Sequence, residues 1–380
     1  MLGRLVIKGC PNLSEVPLVP LCLRVLTVHD CPKLMQLPPV SSRLEELDLE
    51  NCGGGVETML SNMLLLCNDG ENGSSSSSSI QGVGFVVLRR LRIVRSSSIH
   101  HGGENEKELC LDKLLMSTSL THLELTELPW LTSALLGPNL TALEHVTIEK
   151  CENLRSIGNS LVSSSLKSLD ISDCPRLTVQ QQPDDHWGGV MYSLCVRGCP
   201  ELTWLWNLNC FTSVRVLAVM GCPKLTLIKS RGGGGGDDSL SPMPSSSSSA
   251  LERVTIDDLS LLTAALPRRE CCLNSLRHLT IVRGSNKEEK PLTAEQEELF
   301  QHHLTSLTML YFLLCEGLPS LPANLENLSS LKHMEIWDCP KIESLPNLPA
   351  SLKRVEIHGG CHPRLKEQYR NHKNIIFLDF

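Results

Sequence analysis

The chain has 380 residues, with 35 lysines and arginines against 42 aspartates and glutamates, so its formal net charge is −7. That balance argues against a nucleic-acid binder, which carries a basic face over its footprint. Aromatics make up only 4% of the residues, which suits a core of small repeated layers and not a pocket for a large flat ligand. No run approaches the roughly 18 apolar residues of a membrane span. The opening Met1-Leu2-Gly3-Arg4-Leu5-Val6-Ile7-Lys8 lacks the apolar stretch of a signal peptide. The expectation is a protein of the cytoplasm or nucleus, and the four Asn-x-Ser/Thr sites at Asn12, Asn72, Asn139 and Asn327 are taken as chance occurrences.

In chain order, strand-like runs open at Leu2, Leu23, Leu44, Leu88, Leu120, Leu143, Leu166, Met191, Val214, Leu251, Leu276, Leu307, Leu331 and Leu352. Each opening residue is followed at +3 and +5 by further apolar ones, as in Leu23, Leu26 and Val28, so one face of each run points to a core. Six runs end in Cys-Pro, at Cys10, Cys31, Cys174, Cys199, Cys222 and Cys339, and most openings stand 21 to 25 residues apart. This register predicts an α/β leucine-rich repeat solenoid, a horseshoe with a parallel concave β-sheet, convex loops or 3₁₀ turns and few short helices. A single domain spanning 1–380 with about 14 repeats is expected.

The period breaks where the composition changes. Gly/Ser-rich insertions near 68–84 and 230–249 bury too little apolar surface to offset their conformational entropy and are expected to be flexible loops. A degenerate repeat at Leu60, Met63 and Leu65 is a further reading of the first gap. Charged insertions lie near 95–110 and 284–304. Within the latter, Thr293-Ala294-Glu295-Gln296 is a capping box, and Leu299, Phe300 and Leu304 then give a short helix an apolar side. A C-terminal cap is expected over 361–380, with a helical turn at Leu365 to Arg370 and an apolar closing segment from Ile375 to Leu378.

Nine of the 17 cysteines share one repeat position: Cys10, Cys31, Cys52, Cys151, Cys174, Cys199, Cys222, Cys315 and Cys339. They recur once per repeat with no second ligand beside them, so they read as a buried column of reduced thiols and not as a metal ladder. Cys271-Cys272 and Cys361-His362 fall off register and are taken as loop residues. The leucine after each Cys-Pro comes three residues beyond the cysteine, as from Cys10 to Leu13. The glycine run Gly232 to Gly236 has no Lys-Ser/Thr behind it, and neither a G-x-S-x-G elbow nor an H-E-x-x-H pair occurs. No catalytic residue, cofactor or metal is expected.

Binding content lies on the outward residues. Glu45, Glu46, Asp48 and Glu50 face Arg89, Arg90, Arg92 and Arg95 of the next repeat, either to steer a charged partner or to pair with one another. Histidines recur two residues after the opening leucine at His122, His145, His278 and His333, and at +6 at His29 and His358. They are read as polar surface, spaced far apart along the solenoid. Near the C-terminal end, Met309, Tyr311, Leu313, Leu314 and Trp337 form an apolar outward strip of the kind that anchors protein interfaces. The competing reading has the insertion before Leu307 cover them.

The repeats L-x-x-L-x-I-x-x-C-P-x-L-x-x-L-P, the segment Leu292 to Leu299 leading into Leu304-Thr305-Ser306-Leu307, and the ending Leu348-Pro349-Ala350-Ser351-Leu352 through Arg364 to Arg370 carry a resemblance. Together they resemble the C-terminal leucine-rich repeat region of plant nucleotide-binding (NB-ARC) disease-resistance proteins. The resemblance covers nearly the whole chain. It implies a module of plant defense that recognises a pathogen effector or a guarded host protein and restrains a nucleotide-binding domain. The sequence has no G-x-x-x-x-G-K-[ST] and no helical N-terminal block, so nucleotide binding is not expected, and a strand repeat beginning at Met1 suggests a fragment of a longer receptor. A substrate-receptor scaffold of a ubiquitin ligase is the alternative, which needs an adaptor-binding helical motif ahead of the repeats.

Overall fold

The computed structural model describes residues 3–16, 22–35, 37, 43–53, 87–96, 108–110, 119–135, 140–157, 165–178, 191–205, 213–227, 251–263, 273–282, 291–369 and 373–378. The Gly/Ser-rich insertions, the candidate degenerate repeat, Cys271-Cys272 and residues 97–107 and 284–290 of the charged segments lie outside them. Two compact units are present, one built from Met1–Met191, Gly198–Trp204 and Pro223–Leu225, the other from Tyr192–Arg197, Leu205–Cys222 and Thr226–Phe380.

The first unit carries seven repeat strands: β1 (Arg4–Lys8), β2 (Val25–Cys31), β3 (Glu46–Cys52), β4 (Arg90–Val94), β5 (His122–Thr126), β6 (His145–Glu149) and β7 (Ser168–Ser172). The second carries eight: β8 (Ser193–Arg197), β9 (Val216–Met220), β10 (Arg253–Ile256), β11 (His278–Val282), β12 (Met309–Leu313), β13 (His333–Trp337), β14 (Arg354–His358) and β15 (Ile375–Leu378). Each of the fourteen expected repeats supplies a strand. The fifteenth, β15, is the segment read as an apolar closing stretch, and it pairs in parallel with β14. The protein has the leucine-rich repeat fold.

Within each unit the strands pair in parallel in chain order, and the register lines up like with like. Leu26, Leu47, Leu91, Leu123, Val146 and Leu169 form one ladder of the first unit. Leu194, Leu217, Val254, Leu279, Leu310, Met334, Val355 and Ile375 form the corresponding ladder of the second. Nearly all of these side chains are buried. Full burial contributes about 1.5–3 kcal/mol for each large apolar side chain, so the ladders supply the bulk of the favourable term. A one-residue slip would expose a whole ladder, which is why the period is kept so strictly.

The turn after each strand explains the Cys-Pro pair. The cysteine carbonyl accepts a hydrogen bond from the leucine N–H three residues on, from Leu34 to Cys31 at 3.0 Å, Leu177 to Cys174 at 3.1 Å and Leu202 to Cys199 at 3.1 Å. This is a β-turn with proline at its second position, where the ring presets the required φ. The leucine therefore falls three residues beyond the cysteine because the turn closes there. The cysteine thiol turns back to the strand carbonyl two residues before it, as from Cys31 to His29 at 3.3 Å and Cys339 to Trp337 at 3.3 Å. Cys52, Cys315 and Cys339 also reach the carbonyls of Val28, Ile281 and Phe312 on the preceding strand. Eight of the nine column cysteines are buried; Cys10 is half-buried. Cys361 is a loop residue one place off register, as read, because Gly359-Gly360 adds a residue, yet its thiol donates to the Ile336 carbonyl at 3.7 Å as the column thiols do to theirs.

Helices are short, as expected. α1 (Ser260–Thr263) follows β10, and α2 (Ala294–Glu298) begins with the capping box. In that box Gln296 N–H donates to Thr293 Oγ1 at 3.3 Å, and Thr293 N–H donates to Gln296 Oε1 at 3.1 Å. The chain widens into a π-turn over Leu299–His303, which sets Leu299 and Phe300 into the core. A 3₁₀ turn spans Leu325–Asn327, and α3 (Pro363–Tyr369) forms at the expected C-terminal turn. Short strands depart from loops alone: Glu108–Cys110 and Ser133–Leu135 pair as a small parallel sheet, with a further bridge from Ser133 to Ser156, and Trp204–Leu205 and Thr226–Leu227 are strands as well.

Candidate binding face

Parallel pairing brings outward side chains of neighbouring repeats within reach, and in the first unit the opposite charge blocks pair with one another. Arg92 Nη1 lies 2.9 Å from both Asp48 Oδ1 and Glu50 Oε2, while its Nε lies 3.0 Å from Glu124 Oε1. Burial works against its charge, but the bonds to Asp48, Glu50 and Glu124 outweigh that and raise its pKa. Arg95 joins Glu127 at 2.9 Å and Glu50 at 4.0 Å, Arg24 reaches Glu45 at 3.6 Å, and His29 Nε2 reaches Asp48 at 2.8 Å. Glu46 and Arg90 are register partners, and Arg89 and Arg90 are exposed. The centre of the block is thus occupied by its own ion pairs.

The histidines are less scattered than their sequence spacing suggested. His122 and His145 are register partners whose rings stack at 4.6 Å. Burial, then His145 and Arg90, push the His122 pKa down. His333 bonds Glu335 at 2.9 Å, and His358, only 7% exposed, stacks on Trp337 at 4.5 Å with an interplanar angle of 10°.

The apolar strip occupies β12, β13 and the turn beyond β12. Leu313 and Trp337 are register partners, Tyr311 Oη donates to Met309 Sδ at 3.2 Å, and the Tyr311 ring meets His333 edge-on at 6.0 Å. Leu314 and Trp337 are exposed while Met309, Tyr311 and Leu313 are half-buried. The described part of the preceding insertion packs Leu299, Phe300 and Leu304 inward and leaves Leu314 and Trp337 open to solvent. Beside the strip, Leu314, Glu316, Gly317, Asp338, Pro340, Lys341 and Gly360 line a groove of about 410 Å³ at the turn edge. A similar groove of about 580 Å³ in the first unit is lined by Glu127, Pro129, Lys150, Glu152, Asp173, Pro175 and Gly198.

Sequence reasoning passed over the residue that precedes the buried column position. Asp30, Asn51, Arg95, Glu127, Lys150, Asp173, Leu314 and Asp338 all have φ near +50°, and Gly9, Gly198 and Gly221 adopt the same left-handed conformation. Its signal was present, because Gly, Asp and Asn occupy seven of these eleven places. Leu314 is the one apolar residue among them. Also passed over were Glu335 and Glu356, whose carboxylates stand between His333 and His358; the signal was the pairing of His-x-Glu in β13 with Glu-x-His in β14.

Among solved structures, a TLR13–ssRNA13 complex aligns over 94% of this chain and 54% of its own, with 14% identity and a TM-score of 0.44. The mouse RP105/MD-1 complex aligns over 92% and 67% at 16% identity and a TM-score of 0.31. YopM from Yersinia enterocolitica WA-314 aligns over 92% and 86% at 15% identity and a TM-score of 0.26. The chain thus spans about half the length of the first. No family model matches the chain, and no curated protein does. No helix among the described residues is long and apolar enough to cross a membrane. The repeat geometry itself is what establishes the chain as a leucine-rich repeat protein, of the architecture that presents one side of its strands for interaction with other proteins.

Proposed function

We propose that the chain is the protein-recognition module of a plant intracellular immune receptor, sensing a pathogen effector or a modified host protein and restraining a nucleotide-binding switch. The resemblance in its repeats and C-terminal tail names the receptor class. The observation that carries recognition is the strip on β12 and β13, where Tyr311, Leu313, Leu314 and Trp337 place aromatic and aliphatic surface among half-buried neighbours. Aromatic anchors of this kind dominate protein interfaces. Leu314 adds to the case, because an exposed leucine in a left-handed turn is costly for folding, as expected of a residue kept for contact. The ion pairs of Arg92 make the charged block a weaker docking candidate. The test is capture of a separately expressed nucleotide-binding domain and of candidate effectors by the intact chain, with Tyr311→Ala and Trp337→Ala as variants. Weakened capture by both variants supports the reading; undiminished capture removes the strip as the interface. Failure of the nucleotide-binding domain to associate under any nucleotide condition removes the switch-restraining role.

A further inference from the structure

We propose that β13 and β14 carry a binding site for a divalent transition-metal ion of the zinc class, with His333, Glu335, Glu356 and His358 as its ligands. This goes beyond protein recognition and departs from the expectation that the chain holds no metal. Strand alternation puts His333 and Glu335 on the outward side of one strand, and Glu356 and His358 on that of the next. Parallel register sets Glu335 directly beside Glu356. Ligand atoms of His333, Glu335 and Glu356 all lie within 4.8 Å of one another. His358 Nε2 stands 3.5 Å from Glu356 Oε2 and 3.9 Å from Glu335 Oε2, and His333 Nε2 stands 2.9 Å from Glu335 Oε1.

Those separations are close to what a shared ion needs. Four atoms held about 2.0–2.1 Å from one tetrahedral centre are roughly 3.3 Å apart, so His333, Glu335 and Glu356 would draw in from separations of up to 4.8 Å, with His358 joining from the Glu356 side at 3.5 Å. Two imidazoles with two carboxylates favour zinc over calcium or magnesium, which prefer all-oxygen cages, and two carboxylates balance a divalent charge while both rings stay neutral.

The surroundings are built as a supporting layer. Arg354 Nε, 2.5 Å from Glu356 Oε1, holds that carboxylate so that its other oxygen faces His358. The Trp337 ring stacked on His358 fixes the imidazole plane, and Tyr311 stands edge-on to His333 on the opposite flank. Groups that orient ligands in this way are half of what makes a metal site.

The experiment titrates cobalt(II) alone, then zinc(II) alone, into the intact reduced chain. One equivalent of cobalt should give visible d–d absorption without the thiolate-to-cobalt charge-transfer band that the cysteines would produce, and zinc should displace it. Glu335→Gln and Glu356→Gln, which keep side-chain volume on an outward face, should each weaken binding by about ten- to a hundredfold or more while leaving the circular dichroism unchanged. His145→Ala, in the other unit, should bind as the parent does. Unaltered affinity in both Gln variants, a charge-transfer band marking cysteine ligation alone, or no ion bound at micromolar concentration would each overturn the proposal.

Discussion

The conformational demand of this fold concentrates on the residue before the buried turn position, which adopts positive φ in at least eleven of the described repeats, and on nearby glycines where backbones approach closely. A Cβ on Gly53 would lie 1.4 Å from the Pro32 carbonyl oxygen, which is backbone and cannot step aside. On Gly198, with φ +59°, it would meet the movable Asp173 carboxylate at 2.4 Å. Gly53→Ala should therefore cost more stability than Gly198→Ala, the latter about 1–2 kcal/mol for a left-handed alanine. Urea midpoints of the two variants check the order. Leu314 sits at the same kind of position with φ +54° and nearly half its surface exposed. Asparagine tolerates that conformation better, so Leu314→Asn should raise stability by about 0.5–1 kcal/mol in urea denaturation while weakening partner capture. A gain in stability with capture intact would leave the strained leucine without a functional reason.

At the scale of the strand and its turn, the sequence was most legible where one residue type answers one demand. The opening apolar residue, the +3 and +5 positions and the Cys-Pro stop located fourteen strands, because core alternation and a β-turn admit few alternatives. The fifteenth, Ile375–Leu378, was read only as a closing segment since His372 stands where the other repeats open on an apolar residue, although its apolar run matches the β14 register. Pairing between strands was less legible: the two charge blocks were visible, but only the register shows that Arg92 reaches back to Asp48 and Glu50 and forward to Glu124. Removing that guanidinium leaves three half-buried carboxylates facing one another, so Arg92→Ala should lose about 1–3 kcal/mol. Adding Glu50→Gln should recover part of the loss, measured by a double-mutant cycle. The cysteine column has its own pH signature. Burial first, then the neighbouring Cys31, push Cys52 from 9.0 up to about 12. The folded chain thus holds this proton more tightly than the unfolded one, and the associated stability is complete below pH 9 and is lost between pH 9 and 12. Cys52→Ala should flatten the fall in stability over that range by roughly 1.4 kcal/mol per pH unit.

Over the whole molecule, the repeat period revealed the architecture while the positions that face outward had to be paired in space before they acquired meaning. His122 and His145 are 23 residues apart in sequence yet stacked, and Glu335 and Glu356 come together only because β13 and β14 run parallel in register. The apolar strip was readable, since Leu314 occupies a place that polar residues or glycine fill elsewhere and Trp337 stands beside Leu313 in register. The thiols test this reading of the molecule as a reduced, repeat-built scaffold. None of the twelve cysteines whose side chains are described forms a disulfide, and eight of them are buried in the column, where a thiol is shielded from a reagent. A disulfide-reactive chromophore added to the native protein without reductant at pH 8 should titrate the accessible thiols quickly and leave Cys31, Cys52, Cys151, Cys174, Cys199, Cys222, Cys315 and Cys339 unreacted. In denaturant the count should rise to all 17. A denatured count well below that number would mean disulfide-bonded cysteines, which would place the chain in an oxidising compartment and overturn the proposal of an intracellular receptor.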